Sequence, residues 1–227
     1  MADESTHSSS PGPEKTARER IVDAFMALLA EQPIEEIGFA AIAKRAGVSL
    51  ADLRGEFGST IAILAAFLKD LDRAVLAGSD ADMAGEPPRE RLFDVLMRRL
   101  EALEPHKDSV RSLARSVRRN PGLAFALNGL AVRSAQWMLA AADISASGPK
   151  GMIRAQGLQM LFTSVIGTWL DDDDPGRART MAALDSALAS GQRWASFLDG
   201  LLALPSRICP TRARPRRRDA RDETIAA

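Results

Sequence analysis

Apolar residues recur every three or four positions through most of this chain, and this period predicts helices. The first predicted helix runs from about Glu14 to Glu31, and Pro33 ends it. Further helices are predicted over 59–77, 89–104, 106–120, 123–142, 151–170 and 176–204. Alanine is abundant and runs of β-branched residues are few, so helices are favoured throughout. The pattern therefore predicts an all-α fold.

The stretch 39–57, FAAIAKRAGVSLADLRGEF, predicts two short helices joined by a tight turn. Gly47 follows the first apolar stripe directly, at a position where a helix that must end often needs a positive φ. Ser49 is a good N-cap for the second helix. Leu53 and Phe57 lie four positions apart and would face the first helix. This is the pattern of a helix-turn-helix, which can present its second helix to the DNA major groove.

Residues 16–68 resemble the N-terminal DNA-binding domain of TetR-family regulators. The likeness rests on ARERIVDAFMALLAEQ, on the segment from Gly38 to Ser49, and on Leu53, Phe57 and Ser59 before the apolar helix IAILAAFL. The resemblance implies a three-helix DNA-binding unit, then a C-terminal helical bundle, with about nine helices in all. It also implies a transcriptional regulator, usually a repressor, that pairs as a homodimer through its last two helices and binds a small apolar ligand in the bundle.

The same resemblance places seven residues against double-stranded DNA. Ser49 and Arg54 are candidates for direct contact, Lys44 and Arg45 for phosphates, and Leu50 and Ala51 for a thymine methyl group. The predicted DNA-facing set is Lys44, Arg45, Ser49, Leu50, Ala51, Arg54 and Gly55. TetR-type recognition helices usually carry a lysine or similar polar residue after the serine and an aromatic–histidine pair before the final Phe. This chain departs from that pattern at Leu50, Arg54 and Gly55.

The segment 78–88, GSDADMAGEPP, interrupts every helical period with glycine, aspartate and two consecutive prolines. We therefore predict a boundary there. The chain then divides into a disordered tail over 1–13, a helix-turn-helix domain with its linking helix over 14–77, a ligand-binding and dimerisation bundle over 89–204, and a basic disordered tail over 205–227.

Two predicted helices, 123–142 and 151–170, are apolar nearly all round, which is typical of the centre of a bundle. Large apolar residues on them are the candidates for a ligand pocket. They are Leu127, Leu130, Trp137, Leu161, Phe162, Val165 and Trp169. The alternative is that each of them is ordinary bundle core.

The C-terminal region has a second, weaker likeness. RLFDVLMRRLEAL, HKDSV, Trp137, TWLDDDDP and the segment 180–185 are similar to the C-terminal part of coenzyme Q biosynthesis accessory proteins. Those proteins have a TetR-like fold and bind lipids but do not read DNA. This likeness, over residues 91–188, implies an alternative function: a lipid-binding accessory protein that has lost DNA binding.

Composition gives no support to an enzyme or a metalloprotein. The chain has one cysteine, Cys209, and two histidines, His7 and His106, which are far apart. We find no glycine-rich phosphate loop, no nucleophile elbow and no ligand cluster with metal spacing. The acidic run 171–174 is expected to end one helix or cap the next. We expect no catalytic residue, no metal and no cofactor.

Charge and hydropathy favour a cytoplasmic protein. No stretch reaches the roughly 18 apolar residues that a transmembrane helix needs, and the N-terminus lacks the basic start and apolar centre of a secretion signal. Lys+Arg and Asp+Glu number 30 each, so positive charge is local. The tail 205–227 has seven arginines against three acidic residues and suits either nucleic acid or anionic lipid, or simply solubility. In 106–120, one predicted face is apolar and one is basic: Val110, Leu113 and Val117 against Arg111, Arg115 and Arg118.

Overall fold

The computed structural model describes residues 15–78, 83 and 85–202, with the backbone alone over 192–202. The described residues form nine α-helices and no strand, which confirms the predicted all-α fold. The helices are α1 Ala17–Glu31, α2 Phe39–Ala46, α3 Leu50–Glu56, α4 Thr60–Ala77, α5 Pro88–Leu103, α6 Lys107–Arg119, α7 Pro121–Ala141, α8 Gly148–Leu170 and α9 Ala178–Leu202. The predicted tails 1–13 and 205–227 lie outside the described residues, as do 79–82 and 84 of the predicted boundary.

Helix α1 is the centre of the N-terminal unit and packs against α2, α3, α4 and α6. It begins with a capping box in which Thr16 and Glu19 exchange side-chain and backbone hydrogen bonds. Ile21, Phe25 and Leu29 follow on successive turns and are fully buried. This spacing gives α1 one apolar stripe, on which the two short helices pack.

The turn between α2 and α3 has the geometry that the sequence predicts. Gly47 has φ +63°, in the left-handed region that glycine tolerates best, and the Val48 N–H donates to the carbonyl of Ala43 at 3.1 Å. Ser49 then caps α3, because its hydroxyl accepts from the Asp52 N–H at 3.0 Å. The predicted helix-turn-helix is therefore confirmed.

Helix α4 joins this unit to the bundle, since it contacts α1 on one side and α5 and α7 on the other. Pro88 is the first residue of α5, where its missing N–H has no helical partner to lose. Helices α7 and α8 pack together, and α8 also packs on α9. The acidic run has the expected structural use at its second residue: Asp172 accepts from the Thr180 N–H at 2.9 Å in the first turn of α9.

Helix α6 buries a face that the sequence analysis did not identify. Its most buried side chains are Ser109, Ser112 and Ser116, which form a serine face turned towards α1. The predicted apolar face, formed by Val110, Leu113 and Val117, is only half-buried. Each serine hydroxyl donates across the interface. The acceptors are the Met26 carbonyl at 2.8 Å, the Gln32 carbonyl at 3.1 Å and the Glu35 carboxylate at 2.9 Å. Small hydrogen-bonding side chains thus allow a close approach of the two helices.

Candidate functional site

The outer face of α3 is the candidate DNA-reading surface. Leu53 and the following Phe57 are buried against α1, so the opposite face of this helix points to solvent. Leu50 is 56% exposed, and Ala51, Arg54 and Gly55 are exposed beside it. Four of the seven residues predicted to face DNA therefore share one accessible face of α3.

Ser49 lies at the start of this surface but its side chain is already bonded. The hydroxyl accepts from the Asp52 N–H and donates to Asp52 Oδ2 at 2.7 Å. These bonds from the Ser49 hydroxyl and N–H hold the pKa of the Asp52 carboxyl below its usual range, so Asp52 is ionised at neutral pH. The structure therefore assigns Ser49 to capping α3, and the direct contact predicted for it would require this cap to open.

Arg45, predicted to contact phosphate, is paired within the unit. Its Nη1 and Nη2 atoms each lie 2.7 Å from a carboxylate oxygen of Glu31, at the end of α1. The pairing lowers the pKa of Glu31 and raises that of Arg45. Lys44 and Arg54 are exposed and form no ion pair with the described residues. Of the cations in the predicted DNA-facing set, these two are left for phosphates or bases.

Another cation lies beside the same surface. The guanidinium carbon of Arg18, in the first turn of α1, is 4.9 Å from the centroid of the Phe57 ring, which follows α3. This cation–π contact holds a positive charge where α1 meets the end of α3. Arg18 therefore lies next to α3.

A cavity of about 170 Å³ lies between the N-terminal unit and the bundle. Met26 of α1 and Phe67 of α4 line it from one side, and residues of α5 to α8 line it from the other. An apolar cavity of about 150 Å³ is large enough to hold benzene. The site is therefore sized for a small molecule, and it touches the linking helix α4 directly.

The cavity differs from the pocket that the sequence predicts. Leu127 and Phe162 line it, but five predicted residues lie outside its lining: Leu130, Trp137, Leu161, Val165 and Trp169. Trp137 is 57% exposed on the surface of α7. Trp169 is fully buried, and its indole N–H donates to Glu104 Oε2 at 3.0 Å. Because α7 and α8 are apolar nearly all round, their sequences do not show which face turns to the cavity.

A buried polar network borders this cavity and joins three helices. Arg99 of α5 donates through Nη1 to Asp72 Oδ1 of α4, and the Ser134 hydroxyl of α7 donates to the same oxygen at 2.6 Å. All three residues are buried. Removing one partner of a buried ion pair typically costs about 3–5 kcal/mol, so this network fixes α4 against the bundle.

Sequence reasoning missed this network, although a signal for it was present. Asp72 lies between Leu68 and Val75 on the apolar stripe of α4. Arg99 likewise lies between Leu96 and Leu103 on the stripe of α5. A charged residue at a core position of a helix must be paired or functional, which singles out both positions.

Helix α8 also carries an exposed apolar face. Met152, Ile153 and Met160 are 51%, 53% and 67% exposed. Gly157 lies among them and has nothing within 4 Å of the position of a Cβ atom. Large exposed apolar side chains around a small residue are typical of a helix that packs against a partner.

The fold has solved counterparts among TetR regulators. A TetR transcriptional regulator from Nitrosomonas europaea matches with a TM-score of 0.62 and 21% identity, over 79% of this chain and 99% of that one. A TetR regulator from Rhodococcus sp. RHA1 matches with a TM-score of 0.53 and 22% identity, over 77% and 95%. One from Streptomyces coelicolor matches with a TM-score of 0.53 and 16% identity, over 82% and 84%.

These likenesses establish the fold: the chain has the architecture of TetR-family regulators, as its N-terminal resemblance predicted. Comparison of the sequence with family models and with curated proteins finds no match. None of the helices in the described part of the chain is long and apolar enough to cross a membrane.

Proposed function

We propose that this protein is a DNA-binding transcriptional regulator, a repressor that acts in the cytoplasm as a homodimer and responds to a small apolar ligand. The observation that carries the proposal is the outer face of α3. That face is presented to solvent by a helix-turn-helix whose turn, cap and core all have the geometry of a DNA-reading unit. The counterparts of this fold in solved structures are transcriptional regulators by name.

The exposed residues of α3 suit a mixed readout. Arg54 can donate to the acceptors of a guanine edge, and the apolar side chains of Leu50 and Ala51 can contact thymine methyl groups. Lys44, exposed on α2, is the candidate for a phosphate. Because Lys44 and Arg54 are the unpaired cations of the predicted DNA-facing set, we expect α2 and α3 to contribute only a shallow dependence of the DNA affinity on salt.

The homodimer is supported by the exposed apolar face of α8. Pairing two copies through this helix and α9 would cover Met152, Ile153 and Met160. A two-fold dimer presents two recognition helices to successive major grooves, about 34–36 Å apart, on an inverted repeat.

Ligand control is supported by the position of the cavity. A molecule in it would contact α1 and α4 on one side and the bundle on the other. If the ligand binds one arrangement of α4 more tightly than another, it shifts the spacing of the two recognition helices and thereby the DNA affinity.

The test is a titration of the full chain onto DNA from its own upstream region, followed by fluorescence anisotropy. Arg54→Ala should weaken binding to the selected site by about 1–3 kcal/mol and relax the sequence preference. Arg115→Ala is the matched control, because Arg115 is also an exposed arginine but lies on α6. A chain ending at Leu204 should retain selective binding.

Unselective binding that is lost with the arginine-rich tail, and is unaffected by Arg54→Ala, would contradict the proposal. It would favour the second candidate, a lipid-binding accessory protein that has lost DNA binding. One observation favours that candidate: α3 carries a single cation, Arg54, beside Asp52 and Glu56. The cavity volume of about 170 Å³ favours a small ligand over a long lipid chain, so we place the regulator first.

A further inference from the structure

The cavity is apolar apart from a few polar side chains, and most of these already donate a hydrogen bond to another protein group. The Ser109 hydroxyl donates to the Met26 carbonyl at 2.8 Å, and the Ser134 hydroxyl donates to Asp72. The Gln159 amide is turned to the Thr163 hydroxyl, 2.9 Å away on the exposed side of α8. The two serines therefore have no hydroxyl proton left for a ligand, and the Gln159 amide donates to a residue outside the cavity lining.

Arg99 is the exception. A guanidinium has five N–H donors. Within the described part of the chain, Nη1 is the only nitrogen of Arg99 that donates to a protein acceptor, to Asp72 and, at 3.9 Å, to the Met138 sulfur. Arg99 is nevertheless buried and lines the cavity, with its guanidinium carbon 5.8 Å from the Phe162 ring centroid. A buried cation with donors to spare is a site for a hydrogen-bond acceptor on a ligand.

The charge of the site decides which acceptor fits. Asp72 already balances Arg99, so the pair is neutral before a ligand enters. A carboxylate on the ligand would place a second negative charge near Asp72 in a poorly solvated site, which is costly. A cationic group on the ligand would place a second positive charge near Arg99, which is costly for the same reason. A neutral acceptor can take up the guanidinium N–H donors without adding charge.

We propose that the cavity binds a small neutral molecule with an apolar body and a carbonyl-type oxygen, such as a ketone, an aldehyde or an ester, that accepts from Arg99. This inference rests on the ligand control proposed above. It also connects the ligand to the linking helix, because the residue that receives the ligand oxygen is the one that holds Asp72 of α4.

The test compares three probes of similar size by calorimetry on the full chain: ethylbenzene, acetophenone and benzoate. A hydrogen bond from the charged Arg99 to the ketone oxygen should make acetophenone bind measurably tighter than ethylbenzene, which has no acceptor. We expect acetophenone to bind about tenfold or more tighter than ethylbenzene, and benzoate to bind most weakly. The ranking of the three probes on the unmodified chain decides the question without any variant.

The double variant Asp72→Leu, Arg99→Met, which introduces no new hydrogen-bond donor, tests the residue assignment. It removes both charges and keeps similar side-chain shapes, and such replacements of a buried pair are often tolerated. The variant should bind ethylbenzene as before and lose its preference for acetophenone. Leu127→Trp should fill the cavity and abolish binding of both probes.

The outcomes separate the two proposals. Equal binding of acetophenone and ethylbenzene would overturn the role of Arg99 and leave ligand control standing. Tightest binding of benzoate would overturn the argument for a neutral ligand. Binding of none of the three would count against this inference and against the cavity as the control site, while the DNA titration would still test the regulator itself.

Discussion

The serine face of α6 makes a sharp prediction about how the N-terminal unit is held on the bundle. Ser112 is its central member, is 3% exposed, and donates to the Gln32 carbonyl just beyond the end of α1. Ser112→Leu introduces a larger side chain where two helices are in close contact. It therefore perturbs the packing of this interface as well as its hydrogen bond.

The magnitude follows from two contributions. Loss of one hydrogen bond costs about 1 kcal/mol, which is also the whole effect expected for Ser112→Ala. Overpacking a tight interface adds about 1–3 kcal/mol, so Ser112→Leu should lower the free energy of unfolding by about 2–4 kcal/mol. Arg115→Leu is the matched control, because the same side chain is introduced at an exposed position of the same helix, and it should change stability by no more than about 0.5 kcal/mol.

Urea unfolding followed by circular dichroism measures all three variants, with the midpoint compared at an unchanged slope. The expected order of stability is Arg115→Leu, then Ser112→Ala, then Ser112→Leu. If Ser112→Leu falls within about 0.5 kcal/mol of Ser112→Ala, the two helices are not in close contact and the reasoning fails.

Two further predictions concern the turn and the pH dependence. Gly47→Ala should lower the free energy of unfolding by about 1–2 kcal/mol through its positive φ alone, since nothing lies within 4 Å of the added Cβ. Gly55→Ala, within α3, should raise the free energy of unfolding by about 1 kcal/mol. Equal effects of the two substitutions in urea unfolding would show that the φ of Gly47 does not matter. Burial lowers the pKa of His106, whose ring lies edge-on to Phe67 at 4.8 Å between centroids. The folded state then binds fewer protons than the unfolded state, so the free energy of unfolding should fall as the pH drops below about 6.5 towards the lowered pKa. His106→Phe should flatten the unfolding free energy between about pH 7.5 and 5.5, and an unchanged slope there would exclude His106 as its source.

Local chemistry explains why the N-terminal unit could be predicted. The left-handed Gly47, the Ser49 cap and the paired Leu53 and Phe57 each act within a few residues of one another. A turn, a cap and an apolar stripe are properties of a short segment, and they point to the same structure. The helix-turn-helix and the all-α class were therefore readable from the sequence, and so were the exposed positions on α3.

Contacts between residues far apart in the chain decided which cations are paired, which face of α6 is buried and which residues line the cavity. Arg45 pairs with Glu31 on another helix, so a cation available in the sequence is engaged in the structure. The buried face of α6 and the lining of the cavity depend on which helix packs against which. The sequence of a helix that is apolar nearly all round, such as α7, does not indicate which of its faces packs against which neighbour.

The buried pair shows the same division. The sequence alone places Asp72 and Arg99 on apolar stripes of two helices separated by a boundary. Only packing of α4 against α5 brings them together beside a cavity. The helical period arises from hydrogen bonds between residues four apart, so a short segment of sequence is enough to predict a helix. The buried pair and the cavity arise from the packing of whole helices against one another, which depends on the complete core.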